Sequence, residues 1–141
     1  MLEGQVVLMD PRLKTYIVED NVTIRENLVG TLEELTCISA VGFAETEAEA
    51  VRWLGEHSDQ WELAIVDLFL KQGSGIHLAQ CITRQRTSQK IVVFSNYING
   101  SVRKRCAQLG VDAVFDKSTE IDALVDYCSH QCFRISQAQA A

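Results

Sequence analysis

Short runs of apolar residues alternate along this chain with segments in which apolar residues recur at helical spacing. The runs predict five strands, at residues 14–18, 38–41, 62–66, 90–94 and 113–115. The spacing predicts helices at residues 22–36, 46–56, 76–86 and 101–109, and a last helix whose buried face carries Ile121, Leu124, Val125, Cys128 and Cys132. Because the two kinds of element alternate, we predict an α/β fold: a five-stranded parallel sheet with helices on both faces.

Charged residues directly follow three of the predicted strands. Glu19 and Asp20 follow the first strand, Asp67 follows the third, and Asp116 and Lys117 follow the fifth. The carboxyl ends of parallel strands lie at one edge of the sheet, which is where open α/β proteins bind ligands. A carboxylate that lies between apolar runs, as Asp67 does, is costly unless another group offsets its charge. We therefore expect a charged site at this edge.

The charges expected at this edge favour a divalent cation. Glu19, Asp20 and Asp67 would bring three negative charges together, which Mg²⁺ and Lys117 would neutralise. Mg²⁺ accepts one or two carboxylates and commonly accompanies phosphate, whereas Ca²⁺ needs more protein oxygens. A carboxylate beside Mg²⁺ and a lysine can attack phosphorus, and Ser95 could donate a hydrogen bond to a phosphoryl oxygen. Taken singly each residue has an ordinary structural explanation, but their joint position favours a functional site.

Composition limits the functions that the chain can have. Of 141 residues, 47% are hydrophobic and 23% are charged, which is typical of one folded domain. The net charge of −6 argues against a nucleic-acid surface, and no apolar stretch approaches transmembrane length. We expect a leader at residues 1–13, a domain at residues 14–135 and a tail at residues 136–141.

Cysteine usage indicates a reducing compartment. The five cysteines form no CxxC pair and no metal-ligand spacing, and all lie in apolar periodic segments. We expect them to pack as small hydrophobic residues. Their odd number, with no signal peptide, predicts a cytoplasmic location.

Four motifs together resemble the receiver domain of bacterial two-component response regulators. They are VEDN at residues 18–21, IVDL at 65–68, VFS at 93–95 and FDKS at 115–118, and the resemblance covers residues 14–133. It implies a flavodoxin-like topology with strand order 2-1-3-4-5. It also implies a stand-alone signalling protein that is not an enzyme, apart from catalysing its own phosphorylation and dephosphorylation.

The resemblance implies a role for each residue of the expected site. Asp67 would accept a phosphoryl group, Lys117 would bind it, and Ser95 would be the switch hydroxyl that moves toward it. Asp20 would bind Mg²⁺ directly, with Glu19 beside it. The remaining protein ligands of the metal would be Asp67 and the backbone carbonyl of Phe69.

The resemblance also implies partners. The phosphoryl group would come from a histidine kinase or a phosphotransfer protein, and the signal would pass to a downstream protein target by contact. We expect no direct contact with nucleic acid, no membrane association, and a monomer or weak homodimer.

Five residues depart from the commonest receiver pattern. Ser118 stands where a proline with a cis bond is usual, so we expect a trans or strained bond there. Lys71 replaces a frequent proline, and Val114 stands where an aromatic switch residue is common. Phe69 and Tyr97 offer no carboxylate or amide to orient a hydrolytic water, which suggests a long-lived phosphoryl group. The alternative is that both rings merely cover apolar neighbours.

Two other functions stay open at this point. A phosphatase of the haloacid dehalogenase type also uses a strand-end aspartate and Mg²⁺, but needs a second aspartate where Phe69 stands. A pseudo-receiver would be an interaction module that is never phosphorylated, and would not need the full set of site residues.

Overall fold

The fold is a five-stranded parallel sheet with helices on both faces, seen in a computed structural model that describes residues 11–86 and 88–140. The strands are Leu13–Val18 (β1), Ile38–Ala44 (β2), Leu63–Val66 (β3), Lys90–Ser95 (β4) and Ala113–Asp116 (β5). Their order in the sheet is β2-β1-β3-β4-β5, and every neighbouring pair is parallel. The predicted fold class and strand order are confirmed.

Five helices connect and cover the strands. They are Val22–Leu35 (α1), Glu47–Glu56 (α2), Gly75–Gln85 (α3), Gly100–Gln108 (α4) and Ile121–Ala140 (α5). Among the described residues no helix is both long enough and apolar enough to cross a membrane. The helix α5 continues through residues 136–140, which we expected to form a tail. The proposed boundaries of leader and domain stay a prediction, and residues 1–10 lie outside the described residues.

The core consists of two layers, one on each face of the sheet. Alternation along β1 divides its side chains between them, because successive residues of a strand point to opposite faces. Ile17 packs with Leu32 of α1 and with α5 on one face, and Tyr16 packs with Leu78 of α3 on the other. The strand β3 is buried along its whole length, so its end is held rigidly.

The prediction that all five cysteines only pack is wrong for two of them. Cys37, between α1 and β2, forms a disulfide with Cys132 of α5 across 95 positions of sequence. Cys106 and Cys128 are buried as predicted, and Cys81 is partly exposed. Because two of the cysteines form a disulfide, cysteine usage no longer supports a reducing compartment. The cytoplasmic location stays a prediction that cysteine usage does not support.

Candidate functional site

The ends of β1, β3, β4 and β5 bring the predicted site residues together. The backbone N–H of Asp67 donates to the carbonyl of Val18, 3.0 Å away, and that of Lys117 donates to the carbonyl of Ser95, also at 3.0 Å. These bonds continue the strand ladders by one residue. Asp67 and Lys117 therefore leave the sheet from fixed backbone positions.

Asp67 is a buried carboxylate whose two oxygens are both held. Its Oδ1 accepts a 2.6 Å hydrogen bond from the Ser95 hydroxyl and a 3.1 Å bond from the backbone N–H of Phe69. Its Oδ2 accepts a 2.8 Å bond from the ammonium of Lys117. Asp67 is only 6% exposed and Ser95 is fully buried. The cost of burying this acid is thus offset by a cation and two neutral donors.

Lys117 joins two buried acids. Its ammonium forms ion pairs with Asp67 and with Glu19, and the side chains of all three residues are at least nine-tenths buried. Burial lowers the pKa of Lys117, but the hydrogen bonds and charges of Asp67 and Glu19 outweigh it and raise the pKa above its ordinary value. Burial raises the pKa of Glu19, against the opposing hydrogen bond from Lys117. One cation is therefore shared between two carboxylates, which leaves negative charge in the site.

Three carboxylates could hold a metal ion in this site. Glu19, Asp20 and Asp67 each offer an oxygen within 4.8 Å of the other two. The Oδ2 atom of Asp20 accepts a 2.6 Å bond from the backbone N–H of Lys71. A proline has no backbone N–H and could not donate this bond. Lysine in place of the frequent proline at position 71 therefore adds a hydrogen bond to Asp20. The role of this N–H was not predicted, because a backbone donor leaves no mark on residue type.

Asp116 does not join this cluster, although it follows the fifth apolar run. Its Oδ1 accepts hydrogen bonds from the backbone N–H of Ser118 at 2.8 Å and from the Ser118 hydroxyl at 2.5 Å. These bonds lower the pKa of Asp116. No cis peptide bond occurs in the described parts of the chain, so the bond that precedes Ser118 is trans, as expected.

Gly75 permits the close approach of α3 to the backbone of Asp67 and Leu68. A Cβ atom at this position would lie 2.2 Å from the carbonyl oxygen of Asp67 and 2.5 Å from the Cα of Leu68. The backbone N–H of Gly75 donates to the carbonyl of Leu68, 3.1 Å away. The backbone on which Asp67 sits therefore packs directly against the first turn of α3.

Two aromatic rings stand at the rim of the site. Phe69 and Tyr97 meet edge to face with ring centroids 6.0 Å apart, and they are 54% and 83% exposed. Tyr97 has a φ of 60°, in the left-handed region that is uncommon outside glycine. Val114, which stands where an aromatic switch residue is common and is predicted to modulate the switch, packs beside Leu68 in a small cluster under α4. The two rings pair with each other, and most of their surface faces solvent.

Comparisons with known proteins agree with the fold. Residues 15–129 match the family model described as the response regulator receiver domain. A similar solved structure is the signal receiver domain of a protein described as a Luxo repressor from Vibrio parahaemolyticus: TM-score 0.76, 18% identity, 92% of this chain and 97% of that chain covered. No curated protein is similar enough in sequence to match.

Two further solved structures are similar at comparable levels. The BeF3-activated N-terminal receiver domain of Klebsiella pneumoniae RstA has a TM-score of 0.72 at 16% identity, with 87% of this chain and 97% of that chain covered. A DNA-binding response regulator of the LuxR family from Staphylococcus aureus has a TM-score of 0.72 at 17% identity, with coverages of 81% and 93%.

The expectation about partners is contradicted by the Staphylococcus aureus structure. The sequence predicts no direct contact with nucleic acid, partly from the net charge of −6, and predicts that the signal passes to a downstream protein. The similar protein is a DNA-binding response regulator, so a receiver of this fold does occur in proteins that bind DNA. The charge of a receiver therefore does not identify what its regulator contacts.

Proposed function

Because this chain belongs to the response regulator receiver domain family, we propose that it acts in signalling by accepting a phosphoryl group on Asp67. One observation carries the proposal: a hydroxyl and an ammonium from two other strand ends both hydrogen-bond the buried carboxylate of Asp67. The same two donors can bind the oxygens of a phosphoryl group once it is attached. The Ser95 hydroxyl and the Lys117 ammonium would then form hydrogen bonds both to free Asp67 and to its phosphoryl group.

The transfer itself requires positioning and charge neutralisation more than covalent catalysis. An oxygen of the Asp67 carboxylate forms a bond to phosphorus, while the bond between phosphorus and the leaving group of the donor breaks. With acetyl phosphate as the donor, the leaving group is acetate. The ammonium of Lys117 and the hydroxyl of Ser95 then stabilise the negative charge on the phosphoryl oxygens.

The residues of the site fit Mg²⁺, which would neutralise charge and orient the phosphoryl oxygens. Glu19, Asp20 and Asp67 supply only oxygen donors, and one lysine does not balance three carboxylates. Asp20 and Asp67 are proposed as direct ligands with Glu19 beside them. The backbone carbonyl of Phe69 is proposed as a further ligand.

Intact-mass measurement after incubation with acetyl phosphate and Mg²⁺ tests the proposal. We expect a gain of one phosphoryl group, which chelation of Mg²⁺ prevents and which Asp67→Ala abolishes. The matched control is Asp116→Asn, because Asp116 also ends a strand but lies outside the acid cluster. This variant should still gain one phosphoryl group. No gain in the wild type would indicate a pseudo-receiver. Repeated turnover of small phosphate esters would indicate a phosphatase.

A further inference from the structure

One of the two cysteines of the disulfide lies beyond the part of the chain that matches the family model. The family match ends at residue 129, whereas α5 continues to Ala140, and Cys132 lies in this continuation. Its partner Cys37 lies just before β2, with the two Cα atoms 5.8 Å apart. We call residues 130–140 the α5 extension. The disulfide therefore joins a segment beyond the family match to the start of β2.

Packing along α5 weakens where the extension begins. Leu124 and Cys128 are fully buried in the core, but Phe133, just after the disulfide, is 61% exposed. Beyond Cys132 only Ile135 is partly buried against the core in the described part of the helix. Few buried apolar contacts mean a low free energy of local opening. The covalent bond is thus the main anchor of the extension.

We propose that Cys37 and Cys132 form a reversible thiol–disulfide site that controls whether the α5 extension stays fixed against the start of β2. The reacting partners would be dithiols that reduce the bond and disulfides that form it again. Both sulfurs belong to partly buried residues at the periphery of the core, so a small thiol can reach them without unfolding of the sheet.

The exchange proceeds in two balanced steps. A thiolate of the reductant attacks one sulfur of the bond, giving a mixed disulfide and releasing the other sulfur as a thiolate. The second thiol of the reductant then displaces the protein and becomes a disulfide itself, so two electrons and two protons pass to the protein. The backbone N–H of Cys37 lies 3.1 Å from Sγ of Cys132 and would stabilise a thiolate there. Cys132 is therefore the leaving group, and the mixed disulfide forms on Cys37.

The neighbouring cysteines are poor competitors in this exchange. Cys128 lies one turn before Cys132, but burial raises its pKa to about 12. Burial also raises the pKa of Cys106. Since the thiolate is the reactive form, neither residue exchanges readily with the disulfide.

Release of the extension would open a cavity at the opposite end of the strands from Asp67. The cavity has a volume of about 680 Å³ and lies under the N-terminal ends of β1, β3 and β4. Arg134, Ile135 and Ala138 of the extension form one wall, and Trp61 and Cys81 lie in the opposite part. The alkylation rate of Cys81 therefore reports on the position of this wall.

Amide hydrogen exchange with peptide mapping tests the proposal on the whole chain. The exchange rates of the oxidised protein are compared with those after reduction by a dithiol. We expect reduction to expose two thiols, at Cys37 and Cys132, and to accelerate amide exchange in residues 132–138 by about tenfold or more, with the strands unchanged. Cys81→Ser should respond as the wild type does. In Cys132→Ser, amide exchange in residues 132–138 should be rapid without reductant, and oxidised glutathione should form a mixed disulfide on Cys37 with release of one reduced glutathione.

Alkylation of Cys81 by iodoacetamide gives an independent reading. In the Cys37→Ser/Cys132→Ser variant it should be about tenfold faster than in the oxidised wild type. Equal amide exchange rates of residues 132–138 in the two redox states would overturn the proposal. A Cys37–Cys132 disulfide that dithiols reduce only after the sheet unfolds would also overturn it. None of these measurements depends on phosphorylation of Asp67.

Discussion

The hydroxyl of Ser95 donates a 2.6 Å hydrogen bond to Oδ1 of Asp67, although the two residues end different strands and are 28 positions apart in sequence. The family resemblance implied that this hydroxyl moves toward the phosphoryl group. In the structure the Ser95 hydroxyl already faces Asp67. Oδ1 of Asp67 also accepts a hydrogen bond from the backbone N–H of Phe69. The carboxylate that we propose as the acceptor is therefore already oriented by these two hydrogen bonds.

Removing this hydroxyl should slow phosphorylation. Ser95→Ala leaves the Lys117 bond to Asp67 in place but removes one hydrogen bond to a charged group, worth about 1.5–3 kcal/mol. We expect the rate of modification by acetyl phosphate, followed by intact mass, to fall about tenfold or more. Ser95→Thr keeps the hydroxyl and should retain most of the rate. Equal rates for the alanine variant and the wild type would contradict the role assigned to Ser95.

The backbone N–H of Lys71 should support metal binding through Asp20. Lys71→Pro removes this N–H, and the loss of a hydrogen bond that orients a metal ligand typically weakens metal affinity about 10–100-fold. We expect calorimetric titration with Mg²⁺ to show a loss of at least about tenfold. Lys71→Ala removes the side chain but keeps the N–H, so it should bind Mg²⁺ as the wild type does. If the two variants bind alike, the bond to Asp20 has no part in metal binding.

Gly75 should tolerate no side chain. The Cβ of Gly75→Ala would meet the backbone of Asp67 and Leu68, which cannot yield as a flexible side chain would. We expect the free energy of unfolding in urea to fall by about 2 kcal/mol or more. Gly30→Ala in α1 is the matched control, since nothing lies within 4 Å of its added Cβ. It should raise stability by about 0.5–1 kcal/mol, and a similar gain at Gly75 would refute the close packing described here.

Phe69 should lengthen the lifetime of the phosphoryl group. Its ring offers no polar atom to a hydrolytic water and lies against Tyr97 at the rim of the site. In Phe69→Asn an amide can orient that water, so we expect dephosphorylation, followed by mass after removal of acetyl phosphate, to accelerate by about tenfold or more. Phe133→Asn changes an exposed phenylalanine on α5 and should leave the rate unchanged. An unchanged or slower rate in Phe69→Asn would contradict the hypothesis.

The sheet and the convergence of the site were predictable because both depend on local pattern. Apolar runs identify strands, and a charged residue that directly follows a run must emerge at the sheet edge; Asp67 and Lys117 are placed correctly on that ground alone. Position after a strand does not determine where a side chain points, however. Asp116 satisfies the same pattern and turns away to Ser118.

What the sequence did not reveal depends on contacts between distant parts of the chain. The pairing of Cys37 with Cys132 joins residues 95 positions apart, and neither has a spacing that marks it. The strand β2 continues to Ala44 rather than ending near residue 41, because Phe43 and Ala44 pair with the end of β1. Such pairings are set by the assembled sheet and not by the residues of the strand itself.

The most direct measurement of the central claim is to locate the phosphoryl group. The chain is incubated with acetyl phosphate and Mg²⁺, treated with borohydride to reduce any acyl phosphate to the corresponding alcohol, and mapped by tandem mass spectrometry. The account predicts that the altered residue is Asp67 and that Glu19, Asp20 and Asp116 are unchanged. Modification at one of those acids with Asp67 unaltered, or no modification of any carboxylate, would contradict it.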